Sequence, residues 1–158
     1  MKTVTGDLIK MAAAGEFDVI IHGANCFLTM GAGIAKQIKQ TFPEAYMADL
    51  KTTKGDKKKL GTFSSAKVRC KEHQLIVVNA YTQHTYSAAK DVVLVDYDAV
   101  RSVFEAVKKE FAGLRIGYPK IGSGLANGSW DRIAAIIEKA LDGEDHTLVV
   151  WQPPYFKK

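Results

Sequence analysis

Two glycine-rich turns carry the clearest chemical signal in this sequence. Met30-Gly31-Ala32-Gly33-Ile34 follows the apolar run at Ile20-Ile21 and enters a helical stretch. Lys120-Ile121-Gly122-Ser123-Gly124-Leu125 follows the run at Ile116 and precedes another helix. Glycine lets a backbone turn sharply and come close to a ligand. Free N–H groups beside a helix N-terminus then favour an anion. One such turn is explained as well by a loop that needs glycine for packing. Two on the same edge of a sheet point to paired phosphates, as in a diphosphate. The established phosphate signatures are missing: there is no GxxxxGK[ST], which excludes a P-loop. Neither turn spells GxGxxG in a first βα unit with an acidic residue about 20 positions on, which argues against a dinucleotide fingerprint.

Other candidate side chains sit at the ends of apolar runs. Asp7, after Thr5-Gly6, could accept a hydrogen bond from an adenine amino group; its position favours the plainer role of N-cap to a helix starting at Leu8. Trp151 ends the last apolar run, where an indole could cover a base or simply fill the core. Asn25 precedes the first glycine turn, where its amide could hold a hydroxyl or a water, or bond its own backbone as a turn former. His22 and His84 are the residues suited to proton transfer near neutral pH. His22 ends a run that reads as buried, so a satisfied core histidine is expected there. His84 follows Gln83 in a loop and is the more plausible site group. No carboxylate cluster and no Cys/His ligand spacing points to a metal, and Cys26 and Cys70 are too few for a disulfide framework.

These residues need a scaffold, and the hydrophobic pattern supplies one. Short β-branched runs at Thr3-Val4, Phe17–His22, Leu75–Val78, Leu114–Tyr118 and Thr147–Trp151 read as strands, and Gly61–Arg69 alternates loosely. Between them, helical spacing covers Leu8–Ala14, Gly33–Phe42, Glu44–Leu50 with Pro43 in its first turn, Tyr97–Phe111 and Trp130–Leu141. Pro153-Pro154 should end the last strand. Strands alternating with helices predict an α/β fold: a three-layer α/β/α sandwich with a mostly parallel central sheet. The length of 158 residues and a hydrophobic fraction of 47% suit a single domain over 1–158. No apolar run reaches about 18 residues and the start lacks a signal-like stretch, so no membrane partner and a cytoplasmic location are expected. The net charge of +5 is concentrated around Gly55-Asp56, where Lys51, Lys54, Lys57, Lys58 and Lys59 form either a solvated loop or a platform for a polyanion. No aromatic residues interleave with them, which weakens a single-strand stacking surface.

Four segments, in order along nearly the whole chain, resemble the macrodomain family. They are Thr5-Gly6-Asp7-Leu8, Asp18-Val19-Ile20-Ile21-His22-Gly23-Ala24-Asn25, Met30-Gly31-Ala32-Gly33-Ile34-Ala35 and Tyr118-Pro119-Lys120-Ile121-Gly122-Ser123-Gly124-Leu125. The resemblance implies that ADP-ribose or ADP-ribose 1″-phosphate is the ligand and that no cofactor is needed. It implies that Asp7 and Leu8 read the adenine and that Trp151 lies near it. Gly31, Ala32, Gly33 and Ile34, with Ile121, Gly122, Ser123, Gly124 and Leu125, would wrap the diphosphate and distal ribose, and Asn25 would stand beside that ribose. The wording Val78-Asn79-Ala80-Tyr81-Thr82-Gln83 and Leu125-Ala126-Asn127-Gly128-Ser129-Trp130 is most similar to the branch of ADP-ribose 1″-phosphate phosphatases, terminal ADP-ribose glycohydrolases and an antitoxin acting on ADP-ribosylated DNA. Where the glycohydrolases carry a lysine and an aspartate, this sequence has, approximately, Tyr81 and Ala126. The expectation is hydrolysis of ADP-ribose 1″-phosphate, with Asn25 or His84 as catalytic groups. Removal of ADP-ribose from nucleic acid or protein, and non-catalytic binding, are the alternatives.

Overall fold

The computed structural model describes residues 1–87 and 89–152, so Pro153-Pro154 lie outside the described residues. Six strands form one sheet: β1 Lys2–Gly6, β2 Val19–Ala24, β3 Phe63–Cys70, β4 His73–Tyr81, β5 Ile116–Tyr118 and β6 His146–Trp151. The strand order is β1-β6-β5-β2-β4-β3, and only β3 runs antiparallel to its neighbour. Five α-helices accompany it: α1 Leu8–Ala13, α2 Gly33–Thr41, α3 Pro43–Leu50, α4 Tyr97–Phe111 and α5 Trp130–Ala140. The expected α/β/α sandwich is the observed architecture.

The two-residue period of the strands distributes the core. Val19 and Ile21 of β2, Val78 and Ala80 of β4 and Leu148 of β6 pack beneath α4 and α5. Ile20, Leu75, Val77 and Val149 face the other way, against α1, α2 and α3. With both sheet faces covered, the central strands read as continuous apolar runs. Each such Val, Leu or Ile side chain contributes about 1.5–3 kcal/mol on full burial.

The boundaries differ from the sequence-based expectation at several places, each for a local reason. β5 begins at Ile116 because Arg115 turns out to bond Asp18, its backbone N and guanidinium meeting the carboxylate at 2.8–3.1 Å. β3 and β4 form a hairpin of eight and nine residues; β3 falls close to the expected Gly61–Arg69, whereas β4 extends well beyond the expected Leu75–Val78 at both ends. β3 is an edge strand with one exposed face, so polar residues dilute its pattern. α3 begins at Pro43 itself, at the first helical position, where a missing N–H costs nothing.

Strand order decides where the loops meet. β2 and β5 are adjacent and parallel, with Val19 opposite Ile116 and Ile20 opposite Gly117. The turns that follow them, the two glycine-rich segments, therefore leave the same edge side by side. β1 and β6 are also adjacent, and Gly6 opposite Trp151 sets Asp7 next to the indole. Carboxyl ends of parallel strands are where open α/β sheets hold ligands.

Candidate functional site

Along that edge runs a groove made of two adjoining hollows. The larger, about 540 Å³, lies between the two glycine-rich loops and is lined by Asn25, Gly31, Ala32, Gly33, Ile34, Ile121, Gly122, Gly124 and Leu125, among others. The smaller, about 230 Å³, is lined by Asp7, Leu8, Gln37, Val149 and Trp151. Gly33, Ile34 and Pro119 border both, so the hollows adjoin. The sequence-predicted loop residues are thus brought together. Ser123 is the exception: its hydroxyl donates to the Lys120 carbonyl at 2.9 Å and it does not line the groove.

The two loops offer anions different things. α2 has Ala32 as its N-cap, with no side chain satisfying the first turn, and its first internal bond is Lys36 N–H to Ala32 carbonyl at 3.3 Å. Its leading amides, from the wall of the larger hollow, are open to a ligand. α5 behaves otherwise. Ser129 caps it by accepting from Arg132 N–H, and the hollow is bordered by the chain only as far as Ala126. The second loop therefore acts through its own backbone. Gly122 sits at φ +75° with an added Cβ only 2.7 Å from Val95 Cγ2, so no other residue fits.

Backbone strain gathers in the same two loops. Among the described residues four non-glycine positions have left-handed φ, and three are Leu28 and Met30 in the first loop and Asn127 in the second. Bulky residues hold such angles only where the surroundings over-determine them. Tyr46 Oη donates to the Leu28 carbonyl at 3.2 Å. Asn127 Nδ2 donates to the carbonyls of Lys90 and Val92.

The single candidates resolve as follows. Asp7 is an N-cap: its Oδ1 accepts from the amides of Ile9 and Lys10 at 3.0 and 3.1 Å, and the residue also borders the smaller hollow. Trp151 is no core residue; it is 59% exposed on the wall of that hollow. Asn25 borders the larger hollow, but both ends of its amide are engaged in a turn. Oδ1 accepts from Phe27 N–H at 2.8 Å and Nδ2 donates to Thr29 Oγ1 at 2.7 Å. His22 is fully buried, Nε2 to Asn79 Oδ1 at 2.6 Å, and burial pushes its pKa below the ordinary histidine range. His84 stands apart from the groove lining. Its Nε2 donates to the Gly55 carbonyl at 2.9 Å and its ring packs edge-on to Phe27. The expectation that His84 faces the site is corrected here: the loop turns it towards the Gly55 segment.

The lysine-rich stretch also divides. Lys51, Lys54, Lys57 and Lys58 are exposed, whereas Lys59 is buried. Its Nζ donates to the Cys26 carbonyl at 3.1 Å and lies 4.6 Å from the centre of the Tyr81 ring. Cys26 is buried as well, and burial raises its thiol pKa, which leaves it inert as a nucleophile.

One group in the larger hollow escaped the sequence reading. Asp49 of α3 is buried, borders the hollow, and receives the Tyr81 phenol on Oδ1 at 2.6 Å. Ala24 and Tyr81 are register partners, so this pair stands beside the strand end from which Asn25 emerges. A signal existed: Asp49 lies four residues after buried Ala45, on the inward stripe of its helix. Among the described residues no three His, Cys, Asp or Glu side chains converge as metal ligands. No described helix is long and apolar enough to cross a membrane.

Known proteins resemble this chain in sequence and in fold. An uncharacterized 17.5 kDa protein from the tk-vs intergenic region of Enterobacteria phage T4 is 32% identical over 160 residues, 97% of each chain. The macrodomain of Thermus aquaticus DarG superposes with a TM-score of 0.72 at 20% identity, covering 96% of this chain and 97% of its own. Thermosipho africanus DarTG, solved in complex with ADP-ribose, gives 0.71 at 19% identity over 99% of this chain and 42% of its own. At those identities the solved structures speak for the fold. The Macro domain family model matches residues 21–137. That span starts in β2, ends in α5 and takes in both glycine-rich loops of the groove, and the chain accordingly belongs to the macrodomain family.

Proposed function

We propose that this chain binds ADP-ribose along the groove and hydrolyses ADP-ribose 1″-phosphate to ADP-ribose and phosphate. The observation that carries the binding reading is that the two hollows adjoin at Gly33, Ile34 and Pro119, which border both. A flat base fits beside Trp151, with Asp7 and the Leu8 backbone at its edge. The diphosphate fits between the open α2 amides and the loop Ile121–Leu125. The distal ribose then reaches Asn25 and Asp49. That Thermosipho africanus DarTG was solved in complex with ADP-ribose supports the choice of ligand.

Hydrolysis as the outcome is supported by what surrounds the distal end: a buried carboxylate, Asp49, and loop amides able to stabilise developing negative charge. A second reading, release of ADP-ribose from a nucleic acid, is favoured by one observation. The segment carrying exposed Lys51, Lys54, Lys57 and Lys58 is tied to the distal end of the groove: Gly55 N–H donates to the Cys26 carbonyl at 2.6 Å and the Gly55 carbonyl accepts from His84. A polyanion attached to the distal ribose would leave the groove on that side.

Calorimetry with ADP-ribose tests the step common to both readings. Phosphate release from ADP-ribose 1″-phosphate, and loss of ADP-ribose from a modified oligonucleotide, then separate them. Binding without either turnover would leave a non-catalytic reader of ADP-ribose.

A further inference from the structure

We infer that Asp49 is the general base of the hydrolytic step and that it directs water to the C1″ carbon of the distal ribose. This rests on the hydrolase reading above. Asp49 and Lys120 are the charged side chains bordering the larger hollow, and Lys120 is exposed. The other candidates fall away: the Asn25 amide, held in its turn, is no base, and His84 does not line the hollow. A buried carboxylate is retained only when its surroundings hold it.

What holds Asp49 is a hydrogen-bond chain with a single direction. Asn79 Nδ2 donates to the Ala45 carbonyl at 2.9 Å and to Ser64 Oγ at 3.0 Å, which fixes the orientation of its amide. Asn79 Oδ1 must then accept, so neutral His22 donates to it from Nε2 at 2.6 Å. Ser64, having accepted from Asn79, turns its own proton to Tyr81 Oη at 2.8 Å. Tyr81 donates to Asp49 Oδ1 at 2.6 Å. Burial and the neighbouring carboxylate push the phenol pKa well above its ordinary value, so it keeps its proton and remains a donor. Every donor in the chain points towards Asp49, and the carboxylate is the terminal acceptor. Oδ1 is filled and the remaining oxygen receives no hydrogen bond from a described side chain, although the residue borders the hollow. That is how a base is presented to a water.

The site of attack follows from charge. A carboxylate beside a phosphoryl group would repel it, whereas beside C1″ it favours the positive charge that develops on the ribosyl ring. In the step, the water oxygen bonds to C1″ while the C1″–O bond breaks and its electron pair leaves with the phosphate. The water proton passes to Asp49 and from there to the departing phosphate. The products are ADP-ribose and inorganic phosphate, with no other reactant. Tyr81 acts through Asp49 and is a positioning residue.

The test uses the full chain, ADP-ribose 1″-phosphate and an ADP-ribosylated oligonucleotide. In ¹⁸O-labelled water the released phosphate should carry no label, and one ¹⁸O per phosphate would overturn the inference. Asp49→Asn should lower kcat by about 10²-fold or more while ADP-ribose affinity measured by calorimetry stays within about threefold. Tyr81→Phe should lower kcat by a smaller factor with KM unchanged. Full turnover by Asp49→Asn, or no turnover of either substrate by the wild type, overturns the inference while binding of ADP-ribose stands. Absence of ADP-ribose binding by the wild type instead defeats the reading on which it rests. Should Asp49→Asn fail to fold, the isotope measurement still tests the site of attack without a variant, and Tyr81→Phe tests the role of Asp49 through its hydrogen-bond partner, an unchanged kcat there overturning it.

Discussion

Gly33→Glu, compared with Gly33→Ala, separates what the first loop does for the fold from what it does for a ligand. Gly33 opens α2 at φ +57°, and a Cβ built there meets nothing within 4 Å. Either substitution therefore carries the same left-handed backbone cost, about 1–2 kcal/mol, and no packing penalty. Glutamate at a helix start even gains a few tenths of a kcal/mol from the dipole. Their stabilities in urea should match within about 1 kcal/mol. Their affinities should not. A carboxylate about 5 Å from one phosphate charge, at an effective dielectric of about 20, opposes binding by about 3 kcal/mol, or roughly 150-fold in Kd. Calorimetry with ADP-ribose should show Gly33→Ala within about tenfold of wild type and Gly33→Glu weaker by at least a further hundredfold. If both variants fold and bind alike, the amides of α2 do not face the diphosphate and the assignment of this loop is wrong.

Trp151→Ala should weaken ADP-ribose binding by about 1–3 kcal/mol, the usual worth of a base on an aromatic face, with a change in stability below about 0.5 kcal/mol because the side chain is 59% exposed; an unchanged Kd would move the base elsewhere. Acid should destabilise the fold. Burial holds His22 and His146 below the ordinary histidine range, so each takes up a proton on unfolding. The stability they confer is complete above about pH 6.5 and is lost as pH falls, by up to about 1.4 kcal/mol per pH unit for fully buried His22. Urea unfolding at pH 7.5, 6 and 5 measures this, and a His22→Gln variant should show a shallower decline. An identical slope in that variant would place the titration on other groups.

Local rules made most of the scaffold legible. The stripe Val100, Val103, Phe104, Val107 and Phe111 marked α4 at its observed bounds, since every one of those residues is buried. β2 was visible because a strand covered on both faces has no solvent-facing positions, so Val19, Ile20 and Ile21 run apolar without interruption before His22. The glycine-rich turns were legible as loops, and their meeting followed only once β2 and β5 proved adjacent, because strand order lies beyond any local pattern. Asp7 shows a different limit. One side chain both caps α1 and borders the smaller hollow, so the two roles weighed against each other were never exclusive. Trp151 was undecidable from sequence because the end of a strand can be core or rim, and only its register with Gly6 at the sheet margin exposes it.

The illegible part of the site is the polar chain beneath it, and the reason is physical. His22, Asn79, Ser64, Tyr81 and Asp49 lie on three strands and a helix, and the bonds linking them span 57, 15, 17 and 32 residues. Each residue alone reads as something ordinary: a core histidine, a strand asparagine, an edge serine, a strand-end tyrosine, a helical aspartate. Their collective property, that all donors run one way, depends on the amide orientation of Asn79, which the Ala45 carbonyl of α3 fixes. The same helix carries Asp49 one turn later. α3 therefore sets both the start of the chain's polarity and the group on which it ends, and a shift of that helix would disturb donor and acceptor together. Such a coupling gives a part of its own to Tyr81, which stands approximately where the terminal glycohydrolases carry a lysine. In this chain the strand end delivers a proton donor to a carboxylate, and the carboxylate rather than the strand residue faces the groove.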